Sequence, residues 1–322
     1  MECKDAIKYY NPEPTLKECT PQNIISIVSK TKYKNGRYCP HCNSKHTVKN
    51  GTHNGIQRYK CKECNKTFCA TSLTPLSKTH HLDKWSTFIS CMINGYSLRK
   101  SATIVGVSWV TLFYWRHKVL TNLKQKTSKI FKNIVEIDDT YFTYSEKGNK
   151  HIINRVPRKR GKLHNHFGND DNYVCVLNAI DSENRIVSKV ACLGMIKKSR
   201  IEKIIGHCLS KDNILCTSNW REYKNFCKMR GIKHYIITYN NFHIKYNIKK
   251  VNSYIIRLKN WITKFNGVAS KYLDNYVIWH KFLAGINFSN NKKNVLVFLV
   301  TSCMYSEMTT FDSLRLSQFS IN

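Results

Sequence analysis

Residues 134–142 read Ile134-Val135-Glu136-Ile137-Asp138-Asp139-Thr140-Tyr141-Phe142. The first five form a short apolar run closing on a carboxylate, the pattern of a buried strand that ends at Asp138. Asp139 should point to the opposite face from Asp138, because side chains alternate along an extended chain. Working outward, a basic loop follows at 155–162, with Arg158, Lys159 and Arg160 at its centre. Two further strands are expected over 173–180 and 185–193, with Asp181-Ser182-Glu183-Asn184 as the hairpin turn between them. Ser199 to Leu209 has the periodicity of an amphipathic helix, and Asn213 to Thr217 reads as a fourth strand.

At 322 residues the chain can hold two or three modules, since single domains commonly run to about 100–200 residues. Hydrophobic residues make up 42% and aromatic residues 12%, enough for folded cores, and no window is apolar for long enough to suggest a membrane span. The start, Met-Glu-Cys-Lys-Asp-Ala, lacks the basic and then apolar order of a secretory signal, so a cytoplasmic, nucleoid-associated location under reducing conditions is expected. Lys and Arg number 53 against 20 Asp and Glu, a surplus of 33 spread along the whole chain. Such a surplus repels itself unless a polyanion neutralises it, which points to nucleic acid. A ribosomal-type protein, or a Lys-rich bias from an AT-rich genome, would account for the charge as well.

Fourteen cysteines would signal disulfides in a small secreted domain, and this chain is neither small nor visibly secreted. Four of them form Cys39-Pro40-His41-Cys42 and Cys61-Lys62-Glu63-Cys64, two pairs with 18 residues between them. Each pair can bend over one metal, and together they supply the closed four-thiolate shell of structural Zn²⁺. Gly51 and Gly55 supply turns around 52–54, and residues 57–60 read as a strand entering the second pair. His41, His46 and His53 are left at the surface, because the four thiolates already fill the shell. Most of the other ten cysteines lie in apolar runs and read as small core residues.

Beyond this ribbon, Leu82, Trp85, Phe88, Ile89, Met92 and Ile93 share one face of a helix that Gly95 ends. A second helix over 97–105, a turn at Gly106-Val107 and a third helix N-capped by Ser108 give the order of a helix-turn-helix. In that reading Ser108, Trp109, Thr111, Tyr114 and Arg116 are candidates for contact with bases or phosphates. An ordinary three-helix packing unit fits the same pattern, and the sequence does not separate core from groove among those residues.

Three strands, a helix and a fourth strand follow the order of an RNase H-like core. Several uncommon motifs then carry a more specific resemblance. They are Tyr59-Lys60-Cys61 and Lys66-Thr67-Phe68, Phe113-Tyr114-Trp115-Arg116, Asp138-Asp139-Thr140-Tyr141-Phe142, 157–161, Arg257-Leu258-Lys259, and Phe265-Asn266-Gly267-Val268-Ala269. From about Tyr38 to Leu283 the chain resembles insertion-sequence transposases with an ISXO-like DDE domain. The resemblance implies a multidomain protein: an N-terminal segment (1–30), zinc ribbon (31–75), helix-turn-helix (80–125), α/β RNase H-like catalytic domain (130–290) and C-terminal segment (291–322).

It also implies Mg²⁺- or Mn²⁺-dependent cleavage at terminal inverted repeats and strand transfer into target DNA by paired protomers. Asp138 would be the first metal-binding carboxylate, Asn252 the third site position, and Lys259, seven residues on, a phosphate contact. Asn252 could equally cap its helix. The second position departs from the family: where the pattern is Cys-Thr-Asp-x-Trp, this chain has Cys216-Thr217-Ser218-Asn219-Trp220. A neutral hydroxyl is a weak ligand for a hard cation. Asn247 and Ile255 stand where the family commonly has His, so impaired cleavage is expected, with Asp139 and Glu222 the only nearby substitutes. The rival expectation is a DNA-binding protein that keeps the ribbon and helix-turn-helix but no longer cuts. A zinc-ribbon transcription factor unrelated to transposition would leave 138–142 and 252–259 unexplained.

Overall fold

The computed structural model describes residues 20–124, 130–149, 151–152, 172–238, 245–285, 291–305 and 309–319. The basic loop with Arg158, Lys159 and Arg160 lies outside them. The chain divides into two compact units, Met1–Lys126 with Gly285–Leu316, and Thr127–Ala284 with Ser317–Asn322.

The first unit opens with α1 (Pro21–Lys32), whose N-cap Thr20 side chain accepts from the Asn23 N–H. A three-stranded antiparallel sheet follows, β1 (Thr47–His53), β2 (Ile56–Cys61) and β3 (Thr67–Phe68). Asn54 and Gly55 turn β1 into β2 with φ of 50° and 74°, the left-handed pair that a tight hairpin requires. Three helices come next: α2 (Trp85–Ile93), α3 (Leu98–Val105) and α4 (Trp109–Lys124). Ser97 caps α3 by accepting from the Lys100 N–H, and Gly106 ends it at φ 66°. Trp85, Phe88 and Trp115 form the aromatic centre, the two tryptophans stacked 4.7 Å apart.

The second unit is built on a five-stranded sheet of β4 (Ile134–Thr143), β5 (Tyr173–Asp181), β6 (Ile186–Leu193), β7 (Ile214–Thr217) and β8 (Lys233–Ile236). Its strand order is β6-β5-β4-β7-β8, with β4, β5 and β6 antiparallel and β7 and β8 parallel to β4. The second unit is thus a mixed α/β fold. β4 runs five residues beyond Asp138, because Asp139 to Thr143 keep pairing with β5. One face packs on α5 (Lys198–Ile205) and α6 (Arg221–Arg230), where Ile201, Ile205, Tyr223 and Phe226 close the core over Ile137, Leu177 and Leu215. The other carries α7 (Lys249–Thr263) and α8 (Ser270–Ala284), which bury Val251, Tyr254, Leu258 and Trp279.

The chain then returns to the first unit. Val295 to Val300 lie within α9 (Asn291–Cys303), a helix packed against α1, α2 and α4. A last short helix, α10 (Phe311–Leu316), sets Phe311 against Tyr114 at 4.4 Å. No helix among the described residues is long and apolar enough to cross a membrane.

Candidate functional site

The two CxxC pairs converge. Cys39 and Cys64 sulfurs are 3.6 Å apart, Cys42 and Cys61 sulfurs 3.5 Å, and all four lie within 4.8 Å of one another. Four sulfurs about 2.3 Å from one Zn²⁺ in a tetrahedron would be spaced by roughly this much, so the donor set fits the metal. Each knuckle closes the same way: the residue after the second cysteine, Asn43 or Asn65, adopts a left-handed φ of 60° or 56°. Backbone N–H groups of Cys64 and Glu63 pull the Cys61 thiol down to about 6, toward the thiolate that binds metal. Tyr33, Tyr59 and Phe68 pack beneath the cysteines, and Arg37 lies over the Tyr59 ring.

On α4, Ser108, at its N-terminus, and Trp109 are exposed, while Thr111 and Tyr114 are partly covered. Arg116 requires a correction. Its side chain is 1% exposed and donates from Nη2 to the Tyr96 carbonyl at 2.9 Å, so it ties α4 to the turn after α2 and does not reach a DNA surface. Lys84 makes a similar tie to the Gly106 carbonyl.

Asp138 lies on β4 one residue beyond the last rung shared with β7, Ile137 with Thr217, which brings it level with Ser218. The Ser218 hydroxyl, the Asp139 backbone N–H and the positive charge of Lys259 on α7 all favour the charged form of its carboxylate. Burial outweighs them. Desolvation, aided by the charge of Asp139, raises Asp138 from the ordinary 3.8 to about 6. Lys259 also borders a groove of about 760 Å³ that runs past Phe142, Tyr144, Lys147 and Thr263.

Asn252 is exposed in the first turns of α7 and does not cap it. The helix starts earlier, at Lys249, with Ile248 in the N-cap position, and the Asn247 Oδ1 just before it accepts from the Lys249 N–H. Glu136, which the sequence offered only as part of a strand, completes the cap. Its buried Oε2 accepts from the backbone N–H groups of Lys250 and Val251 at 2.8 and 3.1 Å. Glu136 and Asp138 share one face of β4, so this carboxylate fixes the helix carrying Asn252 and Lys259 to the strand carrying Asp138.

The two proposed substitutes for the missing acid are occupied elsewhere. Asp139 faces the opposite side of the sheet and accepts from the Tyr223 hydroxyl at 2.7 Å. Glu222 accepts from the Lys198 N–H at the start of α5. Among the described residues, the cysteine quartet is the single group of three or more His, Cys, Asp or Glu able to hold a metal. One carboxylate with a hydroxyl does not fit a pair of divalent ions.

Residues 130–282 match the model of the ISXO2-like transposase domain. This segment is an ISXO2-like transposase domain. A protein of the transposable element ISH50 from Halobacterium salinarum is 26% identical over 142 residues, 44% of this chain; the match spans 47% of that relative's length. Among solved structures, the HTLV-2 integrase catalytic core domain is 15% identical, covers 51% of this chain and 95% of its own, and has a TM-score of 0.28. A pre-cleavage Mos1 transpososome is 10% identical over 69% and 78% of the two chains, with a TM-score of 0.22. Overlaps that loose carry no argument, and the assignment of the transposase domain rests on the family match.

Proposed function

We propose that the chain is an insertion-sequence transposase by descent, whose RNase H-like domain has lost the carboxylate needed for efficient DNA strand cleavage and transfer. The observation that carries this reading is the juxtaposition of Asp138, Ser218 and Lys259 inside the matched segment. In it Asp138 is the surviving acid, Ser218 stands in the second ligand position, and Lys259 lies where it can meet a phosphate. Asn252 holds the third position on α7. Zn²⁺ holds the ribbon, and Mg²⁺ or Mn²⁺ belongs to the active ancestor.

DNA binding is assigned to the first unit, with α3 and α4 as the helix-turn-helix and Ser108, Thr111 and Tyr114 toward the groove. The surplus of 33 positive charges supports it, and binding should weaken steeply with salt. Arg158, Lys159 and Arg160 remain candidates for backbone contact. The substrate is DNA bearing terminal inverted repeats, and two ends held together call for paired protomers.

The neutral second position also favours a second reading, a DNA-binding relative that does not cut. Cleavage of repeat-bearing DNA in Mg²⁺ or Mn²⁺, natural chain against Ser218→Asp, separates the two. Cutting by the variant alone supports a transposase disabled at that ligand. Equal cutting by both overturns the account of the site, and cutting by neither favours the non-cutting relative.

A further inference from the structure

On the face of the sheet away from Asp138, Cys175 of β5 is paired with Cys192 of β6, at the edge of a bulge that lies between Cys175 and Val176. Directly opposed residues on antiparallel strands lie about 4.5–5.5 Å apart, within the range over which a disulfide closes without moving the backbone. We propose that Cys175 and Cys192 are a thiol pair that closes to a cross-strand disulfide when the chain meets a low-molecular-weight disulfide.

The pair is asymmetric in a way that orders the steps. Cys175 is fully buried, whereas Cys192 is only half-buried and can be reached from solvent. Interaction with Cys175 holds the Cys192 thiol down while it pushes Cys175 up, Arg200 and Lys197 lend Cys192 further positive charge, and the Cys192 thiol donates to the Gly194 carbonyl at 3.6 Å. Cations beside a partly exposed cysteine favour the nucleophilic thiolate. Cys192 therefore attacks first: its sulfur bonds to one sulfur of the small disulfide, whose S–S bond breaks and releases one thiolate. Cys175 then attacks the Cys192 sulfur of this mixed disulfide, and the second small thiol leaves. Two protein thiols are oxidised, one small disulfide is reduced, and the two protons end on the released thiols.

The bond would add a covalent rung in the row of Tyr141, Cys175 and Cys192 across β4, β5 and β6. Tyr141 in that row shares a hydrogen bond with Asp139, the neighbour of Asp138. The proposal is independent of whether the site at Asp138 cuts DNA.

The zinc-loaded full chain is incubated with oxidised glutathione, alkylated, and digested with trypsin without reductant. Cleavage after Arg185 and Lys189 separates the two cysteines, so the disulfide is read as two joined peptides lighter by two hydrogens than their sum. Cys175→Ser should stop at a glutathione adduct on Cys192, and Cys192→Ser should leave Cys175 unmodified. Recovery of both cysteines of the natural chain as alkylated thiols, or of Cys192 as a lasting glutathione adduct, would overturn the proposal.

Discussion

Replacing Asp138 by Asn should make the second unit more stable at neutral and alkaline pH and leave it unchanged near pH 4. The folded unit holds the Asp138 proton up to about pH 6, against 3.8 for an ordinary aspartate. Between those values the folded state binds more protons than the unfolded one, so stability falls as pH rises through the window. A shift of about two units at roughly 1.4 kcal/mol each sets the full cost near 3 kcal/mol above pH 6. Asn keeps the shape and one acceptor oxygen for Ser218 but carries no charge to desolvate. A gain of about 2–3 kcal/mol corresponds to a rise of roughly 5–10 °C in the melting temperature of a unit this size. Calorimetry at pH 4 and pH 8 without added divalent ion reads the difference directly. An Asn variant no more stable than the natural chain at pH 8 would refute the claim that desolvation of Asp138 outweighs the help it receives from Lys259 and Ser218.

Three further outcomes test the surrounding structure. Glu136→Ala removes the acceptor from the backbone N–H groups of Lys250 and Val251 at the start of α7, the second of them buried, and should cost about 2–4 kcal/mol, with Glu136→Gln recovering a good part, and amide exchange at the two residues should follow the same order. Arg116→Ala should destabilise the first unit by about 2 kcal/mol or more, while the salt dependence of DNA binding stays unchanged, because a buried side chain neutralises no phosphate. Chelation of zinc, or Cys61→Ser, should melt the ribbon, which zinc holds by on the order of 10 kcal/mol, and leave the thermal transition of the second unit in place.

What was legible in the sequence was what short-range chemistry encodes. The CxxC pairs, the turn at Gly55, the Gly106 stop and the order of strands around Asp138 all depend on residues within a few positions of one another, whereas the turn expected at 52–53 is the end of β1. The knuckle signature was fuller than first read, since Asn43 and Asn65 each follow a pair and each takes a left-handed φ. The strand past Asp138 was not legible, because Asp-Asp-Thr reads as a strand end unless the partner β5 is known to continue. Glu136 was missed for the same reason: its partners lie 114 and 115 residues away. Arg116 looked like a groove residue because a buried guanidinium needs a specific acceptor, and Tyr96 supplies it 20 residues earlier. The return of α9 to the first unit crosses the whole transposase domain, and no local pattern announces it.

The acids near the site sort by what they hold. Glu136 caps α7, Asp139 holds Tyr223, Glu222 caps α5, and Asp138 alone is left with a hydroxyl donor and a lysine beside it. Without metal this is the less costly arrangement, because a second carboxylate at position 218 would lose the Ser218 donor and add like charge to a desolvated acid. The serine thus suits a pocket that binds no divalent ion, and the price of restoring the acid is repulsion that only a cation relieves. Ser218→Asp should therefore melt below the natural chain at pH 8 in metal-free buffer and be raised above that by millimolar Mg²⁺ or Mn²⁺, while the natural chain responds little. If the ions leave the variant's melting temperature unmoved, position 218 is not a metal-ligand position, and the proposal that Ser218 disables the site falls.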